Sequence, residues 1–245
     1  MKIIGNLLCP AAARTTICPG HLDAIASIFM NQKKKLLRRN IVRKVRCQYL
    51  VFLPKDYDQS KKKWPLILFL HGSGERGADL NKVKRHGVAK VVEQSPDFPF
   101  IVVSPQCPEG VWWSTEMLAV LLDEIEKNYR VDKKRIYVTG LSMGGFGTWQ
   151  LAIENPDRFA AIAPICGGGN SHLVPKIKHL PVWVFHGAKD EIVPIEESRE
   201  MVRALRKAGG RPKFTIYPRA KHDSWTEAYE NKQLYQWFLK HQRGS

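Results

Sequence analysis

The stretch Arg135-Ile136-Tyr137-Val138-Thr139-Gly140-Leu141-Ser142-Met143-Gly144 joins a β-type run to a G-x-S-x-G turn, and a glycine-rich helical segment follows it. A serine hydroxyl is a weak nucleophile, and a strained strand-to-helix turn lifts it clear of the backbone. The two glycines leave room for that turn, and the Met143 N–H at the start of the helix would point at a developing negative charge. Ser142 is therefore a candidate nucleophile. The alternative is an incidental serine in a glycine-rich turn.

Strand-type and helix-type patterns alternate on both sides of this turn. Several apolar runs lack the polar alternation of half-exposed strands, which is typical of a parallel sheet covered on both faces. The predicted fold is therefore α/β, a doubly wound, mostly parallel sheet with helices on both faces. The 14 residues between Cys166 and Pro181 are too few for a cap domain. The predicted strands are Val45–Leu53, Pro65–His71, Phe100–Ser104, Arg135–Thr139, Phe159–Ile165, Val182–His186 and Lys213–Tyr217. The predicted helices are Met117–Tyr129, one from the elbow to Asn155, Pro194–Gly209 and a final helix opened by a capping box at Ser224–Glu227.

Composition and charge separate the chain into two parts. Residues 1–40 are predicted to be a basic N-terminal appendage, with an amphipathic helix over 21–30, and residues 41–243 one catalytic domain. The net charge is +16, and residues 1–64 hold 14 Lys or Arg against 3 Asp or Glu. This excess of positive charge could steer the protein to an anionic surface, or it could simply form a solvated basic arm. No nucleic-acid-binding signature accompanies it, so no nucleic-acid partner is expected.

Sequence patterns for membrane spans, metal sites and disulfide frameworks are missing. No stretch approaches the about 20 apolar residues of a transmembrane helix. The five cysteines are far apart, with neither C-x-x-C nor H-E-x-x-H, which favours free thiols and no metal site. The missing secretion signal favours a cytoplasmic protein, with secretion as the alternative. The oligomeric state is left open.

Chemistry-bearing residues follow the other predicted strands, and the carboxyl ends of parallel strands share one edge of a sheet. Asp190 follows Val182–His186 and could orient an imidazole, with Glu191 as its rival. His222 follows Lys213–Tyr217 and could take and return the serine proton. The turn after Pro65–His71 could supply a second oxyanion donor from the backbone N–H of Ser73, with Gly74 as the alternative. His71 and His186 are predicted to be structural, with His186 packed beneath the site.

The chain resembles α/β-hydrolases of the prolyl-oligopeptidase-like esterase group, close to feruloyl esterases and polyhydroxybutyrate-depolymerase-like proteins. The likeness covers about residues 42–240, is specific for fold and triad, and is unspecific for substrate. In the dienelactone-hydrolase branch a cysteine stands at the elbow, whereas this chain has Ser142, which favours ordinary ester hydrolysis. The stretches that carry the resemblance are Tyr49-Leu50-Val51-Phe52-Leu53-Pro54, Phe69-Leu70-His71-Gly72-Ser73-Gly74-Glu75-Arg76-Gly77, Ser104-Pro105-Gln106-Cys107-Pro108, Gly140-Leu141-Ser142-Met143-Gly144-Gly145, His186-Gly187-Ala188-Lys189-Asp190 and His222-Asp223-Ser224-Trp225.

The resemblance implies a serine esterase that works through an acyl-enzyme without metal or cofactor. Ser142 would be the nucleophile, His222 the base and acid, and Asp190 the orienting carboxylate. The N–H groups of Ser73 and Met143 would form the oxyanion hole. The substrate would be a small or polymer-linked ester, of short acyl chain or aryl type. Either Trp112 or Trp113 could form an aromatic wall for it or simply anchor its loop. A serine peptidase and a non-catalytic binding protein are the alternatives.

Overall fold

A computed structural model of the protein describes residues 34–40, 42 and 44–244. The helix predicted over 21–30 lies outside the described residues, as does most of the predicted appendage. The chain divides into two units, Met1–Lys44 and Val45–Ser245. The described residues of the first unit are exposed and contain neither helix nor strand.

Seven strands of the second unit form one sheet, with the order β1-β3-β2-β4-β5-β6-β7. Only the β1–β3 pair is antiparallel among these strands, and the remaining neighbours run parallel. In chain order the strands are β1 (Tyr49–Phe52), β2 (Trp64–Leu70), β3 (Ile101–Pro105), β4 (Val131–Leu141), β5 (Ala161–Ile165), β6 (Trp183–Gly187) and β7 (Lys213–Tyr217). The predicted mostly parallel sheet is confirmed, whereas β1 is shorter than predicted.

Six helices and three 3₁₀ segments connect the strands in the part of the chain that the structure describes. The helices are α1 (Gly87–Glu93), α2 (Thr115–Asn128), α3 (Met143–Glu154), α4 (Ile195–Lys207), α5 (Trp225–Glu230) and α6 (Lys232–Leu239), and the 3₁₀ segments are Ser73–Glu75, Leu80–Arg85 and Val174–Ile177. Helix α1 was not predicted, because its seven residues are too few to show a helical period.

The end of the chain differs from the prediction in two ways. The final helix is interrupted at Asn231, whose side chain accepts a hydrogen bond from Gln233 N and so opens a separate helix. The capping box at Ser224 is wrong, because Ser224 has a helical backbone and makes no side-chain cap. Asp223 serves instead, accepting hydrogen bonds from both the N–H and the hydroxyl of Thr226.

The hydrophobic core has one layer on each side of the sheet. Successive side chains of β2 point to opposite faces, so Leu66 and Leu68 join one layer while Ile67 and Phe69 join the other. Helices α2, α3 and α4 cover the first layer, and α1, α5 and α6 cover the second. Both faces are therefore buried, which is why β2 reads as a continuous apolar run. The link between β5 and β6 contains only the short 3₁₀ segment Val174–Ile177, which leaves the carboxyl edge of the sheet without a cap domain within the described residues.

Candidate active site

Ser142 stands at a strained turn between β4 and α3. Its backbone has φ 51° and ψ −117°, a conformation that L-residues adopt rarely and that costs on the order of 1–3 kcal/mol. The turn is held because Ser142 N donates to Ile165 O at 3.0 Å, while Ser142 O accepts from the amides of Gly145 and Phe146. The hydroxyl is thereby projected beyond the sheet edge, as the motif predicts.

The glycines of the motif are required by close backbone contact. A Cβ on Gly144 would lie 2.0 Å from Leu70 O, and one on Gly140 would lie 2.4 Å from Gly144 O. Helix α3 therefore begins directly against the end of β2, at a distance that no side chain permits. This contact sets the elbow beside the turn that begins at His71.

Three side chains from three strand ends come together at this edge. His222 Nε2 lies 3.0 Å from Ser142 Oγ, and His222 Nδ1 lies 2.8 Å from Asp190 Oδ2. Because a carboxylate only accepts hydrogen bonds, the Nδ1 position carries the proton and Nε2 is free to accept from the serine hydroxyl. The structure thus brings together Ser142, Asp190 and His222, although 80 residues separate the serine from the histidine.

The loops of Asp190 and His222 are joined to each other by backbone contacts. Lys189 N donates to Ala220 O at 3.0 Å, and a Cβ on Gly187 would lie 2.2 Å from Lys221 O. The β6–β7 pair therefore holds the carboxylate and the imidazole in register.

Asp190 is held as a carboxylate by its own loop. Its Oδ1 accepts hydrogen bonds from Ile192 N at 3.0 Å and Val193 N at 2.9 Å. Burial opposes ionisation, but the hydrogen bonds from His222 and from these two amides outweigh it and lower the pKa of Asp190. The neighbouring Glu191 is exposed and makes no such contacts.

His186 lies fully buried beneath the site, as predicted. Its Nδ1 is 2.7 Å from Ser198 Oγ, and its Nε2 is 2.9 Å from Val193 O and 3.2 Å from Asp190 Oδ2. Burial lowers the pKa of His186, although Val193 O and Asp190 act in the opposite direction. The contact with Asp190 was not foreseen, because sequence spacing does not show which way a strand-end side chain points.

The turn after β2 lies beside the elbow. A Cβ on Gly72 would lie 2.8 Å from Leu141 Cδ1, and Gly72 N donates to Glu75 Oε2 at 3.0 Å. The N–H groups of Ser73 and Met143 make no backbone hydrogen bond in the described loops and turns. Both predicted oxyanion donors therefore lie in segments that pack against each other and have N–H groups available for a ligand.

His71 supports this turn from below. Its Nδ1–H donates to Gly72 O at 2.6 Å, and its Nε2 accepts from Cys107 N at 3.0 Å. Burial lowers the pKa of His71 to about 4, against a hydrogen bond to Gly72 that acts in the opposite direction. His71 is thus a neutral structural histidine, as predicted.

The two tryptophans occupy different environments. Trp113 is 8% exposed, and its indole N–H donates to His71 O at 3.2 Å, so it anchors its loop to the oxyanion turn. Trp112 is 63% exposed and packs edge-to-face on Phe146, with ring centroids 5.8 Å apart. Trp112 is therefore the one with a face free for a ligand.

Trp225 is a candidate site residue that sequence reasoning did not assign. Its ring lies edge-on to His222 with centroids 5.2 Å apart, and its centroid lies 5.7 Å from that of His86. With His86 and Tyr229 it lines a cavity of about 80 Å³. Its position three residues after His222 was the available signal.

One group of residues in the described chain has the spacing of a metal site, namely Cys166, Asp190 and His222, whose ligand atoms lie within 4.8 Å of one another. Burial raises the pKa of the Cys166 thiol to about 12, so it is protonated near neutral pH. The His222 and Asp190 atoms already bond each other. The donor set is thus occupied by hydrogen bonds.

No helix of the described residues has the length and hydropathy of a membrane span.

Comparison with known proteins finds similarity to ester hydrolases. The model of the dienelactone hydrolase family matches residues 109–234. A bifunctional acetylxylan esterase/xylanase of Neocallimastix patriciarum is 28% identical over 58% of this chain and 22% of its own length. The "Probable feruloyl esterase C" of Aspergillus terreus is 26% identical over 82% of this chain and 74% of its own. The crystal structure of a thermostable esterase superposes with a TM-score of 0.72 at 38% identity, covering 80% of this chain and 59% of that one. The chain thus spans about a fifth of the first relative and under two thirds of the esterase.

Proposed function

Because the chain belongs to the dienelactone hydrolase family, we propose that it is a serine carboxylic-ester hydrolase that acts through an acyl-enzyme on Ser142. The observation that carries the proposal is the continuous hydrogen-bond chain from Ser142 Oγ to His222 at 3.0 Å and from His222 to Asp190 at 2.8 Å. A nucleophile, a base and an orienting acceptor in hydrogen-bond contact are the parts that acyl transfer needs. The relatives named as esterases support the same reaction class.

Acylation begins when Ser142 Oγ attacks the ester carbonyl carbon and its proton passes to His222 Nε2. Asp190 stays ionised and stabilises the imidazolium through Nδ1–H. The carbonyl oxygen becomes an oxyanion, which the N–H groups of Ser73 and Met143 hold. Two preorganised donors of this kind each contribute about 10²–10³ to the rate.

The tetrahedral intermediate then collapses with loss of the alcohol. His222 returns the proton from Nε2 to the leaving alkoxide oxygen, and the acyl group remains bonded to Ser142 Oγ. In the second half, water gives a proton to His222 and attacks the acyl carbon, and the carboxylic acid leaves as Ser142 recovers its proton. No step requires a metal or cofactor.

The surroundings of Ser142 favour short acyl or aryl esters, including esters carried on a polymer. In the described chain the link between β5 and β6 holds only the 3₁₀ segment Val174–Ile177, which is too short for a cap domain. Trp112 is 63% exposed and packs on Phe146, four residues after Ser142, and Trp225 lies beside His222. An aryl group could stack on either ring. The names of the relatives, acetylxylan esterase and feruloyl esterase, fit this class.

A fluorophosphonate probe tests the nucleophile, because it bonds only to an activated serine. We expect stoichiometric labelling of the wild type and none of Ser142→Ala, with unchanged circular dichroism. Ser60→Ala, which alters a serine outside the site, is the matched control and should label fully. Labelling that persists in Ser142→Ala would refute the assignment.

A substrate panel tests the reaction class. We expect turnover of p-nitrophenyl acetate and methyl ferulate, weak turnover of p-nitrophenyl laurate, and none of a peptide p-nitroanilide. Preference for the anilide would favour a serine peptidase instead. Absence of both turnover and labelling would favour a non-catalytic binding protein.

A further inference from the structure

A buried row of polar groups continues the triad into the core. Asp190 Oδ2 lies 3.2 Å from His186 Nε2, whose hydrogen bond goes to Val193 O at 2.9 Å. On the other side of the ring, His186 Nδ1 lies 2.7 Å from Ser198 Oγ, which lies 2.9 Å from Gly167 O. His186 and Ser198 have no exposed surface. Burying polar groups is costly unless each one has a hydrogen-bond partner. The partners of each atom therefore indicate where the protons lie.

The acceptors around His186 place a proton on its Nε2. This nitrogen faces Val193 O and the Asp190 carboxylate, both of which only accept. On the other side of the ring, Nδ1 lies beside the Ser198 hydroxyl, which is also within hydrogen-bond distance of Gly167 O. His186 therefore presents an N–H, and not a lone pair, to the side of Asp190.

The Asp190 carboxylate accepts three hydrogen bonds and has the His186 N–H as a further close neighbour. Two amides of its own loop bind Oδ1, at 3.0 Å and 2.9 Å. Oδ2 accepts from His222 at 2.8 Å, and His186 Nε2, which is hydrogen-bonded to Val193 O, lies 3.2 Å from the same oxygen. The amides fix one oxygen, and the electrostatic attraction of the His186 N–H opposes rotation of the other away from His222 about the Cβ–Cγ bond.

We propose that His186 is a positioning residue, which rests on the proposed hydrolase function: its Nε2–H, hydrogen-bonded to Val193 O and 3.2 Å from Asp190 Oδ2, fixes the Asp190 loop and keeps Oδ2 in the orientation that receives His222. A neutral donor suits this role, since it steadies the carboxylate without bringing a second positive charge that would compete with the imidazolium of His222. His186 does not touch the reacting atoms and acts only through Asp190.

Two substitutions separate positioning from packing. His186→Leu removes the donor and leaves an apolar side chain, whereas His186→Gln restores an amide N–H at about the reach of Nε2. We expect His186→Leu to lower kcat for p-nitrophenyl acetate by about 10-fold, because the buried hydrogen bond to Val193 O and the contact with the Asp190 carboxylate are both lost, with KM unchanged. His186→Gln should recover most of that loss. His179→Gln, at an exposed histidine, is the control and should match wild type.

Two further readouts respond to positioning but not to packing alone. The acid limb of the kcat/KM profile should move to lower pH in His186→Leu, because a misdirected carboxylate supports the catalytic imidazolium less, and should stay in place in His186→Gln. The downfield proton resonance of the His222–Asp190 hydrogen bond should weaken in His186→Leu and persist in His186→Gln. Equal kcat, an unmoved acid limb and an unchanged resonance in folded His186→Leu would overturn the proposal.

Ser198→Ala keeps the proposal testable if His186→Leu does not fold. Without the hydroxyl, His186 Nδ1 loses its partner at 2.7 Å, so the ring is less firmly held in the orientation that points Nε2–H toward Asp190. We expect a several-fold loss of kcat and the same direction of shift in the acid limb, and wild-type values would overturn the role. These outcomes are independent of the Ser142→Ala labelling result, so failure of the positioning role and failure of the hydrolase function are distinguishable.

Discussion

Replacing Asp190 by Asn tests the electrostatic basis of the site while keeping its shape. The carboxylate accepts hydrogen bonds from Ile192 N and Val193 N on Oδ1 and from His222 on Oδ2. Asn has one oxygen and one NH₂, so the donors on one side must face the NH₂. Turning the NH₂ toward Ile192 and Val193 would oppose it to two fixed backbone N–H groups. The lower-energy arrangement therefore turns it toward His222.

This arrangement reverses the imidazole. Facing an NH₂ donor, His222 Nδ1 must present a lone pair, so the ring proton moves to Nε2. That nitrogen then lies 3.0 Å from Ser142 Oγ without a lone pair to accept its proton. A base held in the wrong tautomer costs about 10⁴ in kcat, or about 5.5 kcal/mol of transition-state stabilisation.

The assay is steady-state hydrolysis of p-nitrophenyl acetate, with the rate of fluorophosphonate labelling as a second measure. Both rates should fall together. Loss of charged hydrogen bonds should lower the free energy of unfolding by about 2 kcal/mol, a Tm decrease of roughly 4–8 °C, so the variant stays folded at room temperature.

Glu191→Gln is the matched control, because it neutralises the adjacent, exposed carboxylate. It should leave kcat within about twofold, because substitutions at exposed positions usually change free energies by no more than about 0.5 kcal/mol. An Asp190→Asn variant within tenfold of wild type, or a Glu191→Gln variant as impaired as Asp190→Asn, would refute the reasoning.

Three further predictions follow from other contacts. Gly144→Ala should abolish activity and lower the free energy of unfolding by about 3 kcal/mol or more, because its Cβ would lie 2.0 Å from Leu70 O. Gly74→Ala is the control: its Cβ would have no neighbour within 4 Å, so the variant should be as stable as wild type or slightly more stable in urea denaturation. His71 should stay neutral in an NMR titration down to about pH 5. Its pKa is about 4 in the folded state and 6.5 in the unfolded state, so between these pH values the unfolded state binds more protons. Protonation of His71 therefore lowers the free energy of unfolding as the pH falls through that window and has no effect above it. Trp112→Ala should raise KM for methyl ferulate several-fold while leaving KM for p-nitrophenyl acetate unchanged, and equal effects on both would exclude an aryl platform.

The parallel core of the fold could be predicted from sequence because each buried strand is a short apolar run. β2 and β7 match their predicted bounds within one residue at each end. Helix α1 and the 3₁₀ segments could not be predicted, since such short segments are fixed by packing rather than by their own periodicity. The antiparallel pairing of β1 with β3 at the sheet edge could likewise not be predicted, because the direction in which two strands pair depends on the path of the chain between them and not on their composition.

The positions of the candidate site residues could be predicted because the carboxyl ends of parallel strands converge. Ser142, Asp190 and His222 each follow a strand, and the structure brings them into one hydrogen-bond chain. What sequence could not show is the direction of neighbouring side chains. The sequence shows which residue types stand at these positions but not where their side chains point. In the structure His186 points at Asp190, Trp113 points into the core and Trp112 points outward.

The long chain separation of the site has a consequence for biosynthesis. A ribosome that has polymerised Ser142 must add 80 more residues before His222 is made, and β7 must then join the sheet. By the proposed mechanism, chains that stop before His222 are inert toward esters, however well their earlier strands have assembled. Hydrolysis then begins only once β7 and the His222 loop are in place, which makes turnover a direct reporter of that late step of sheet assembly.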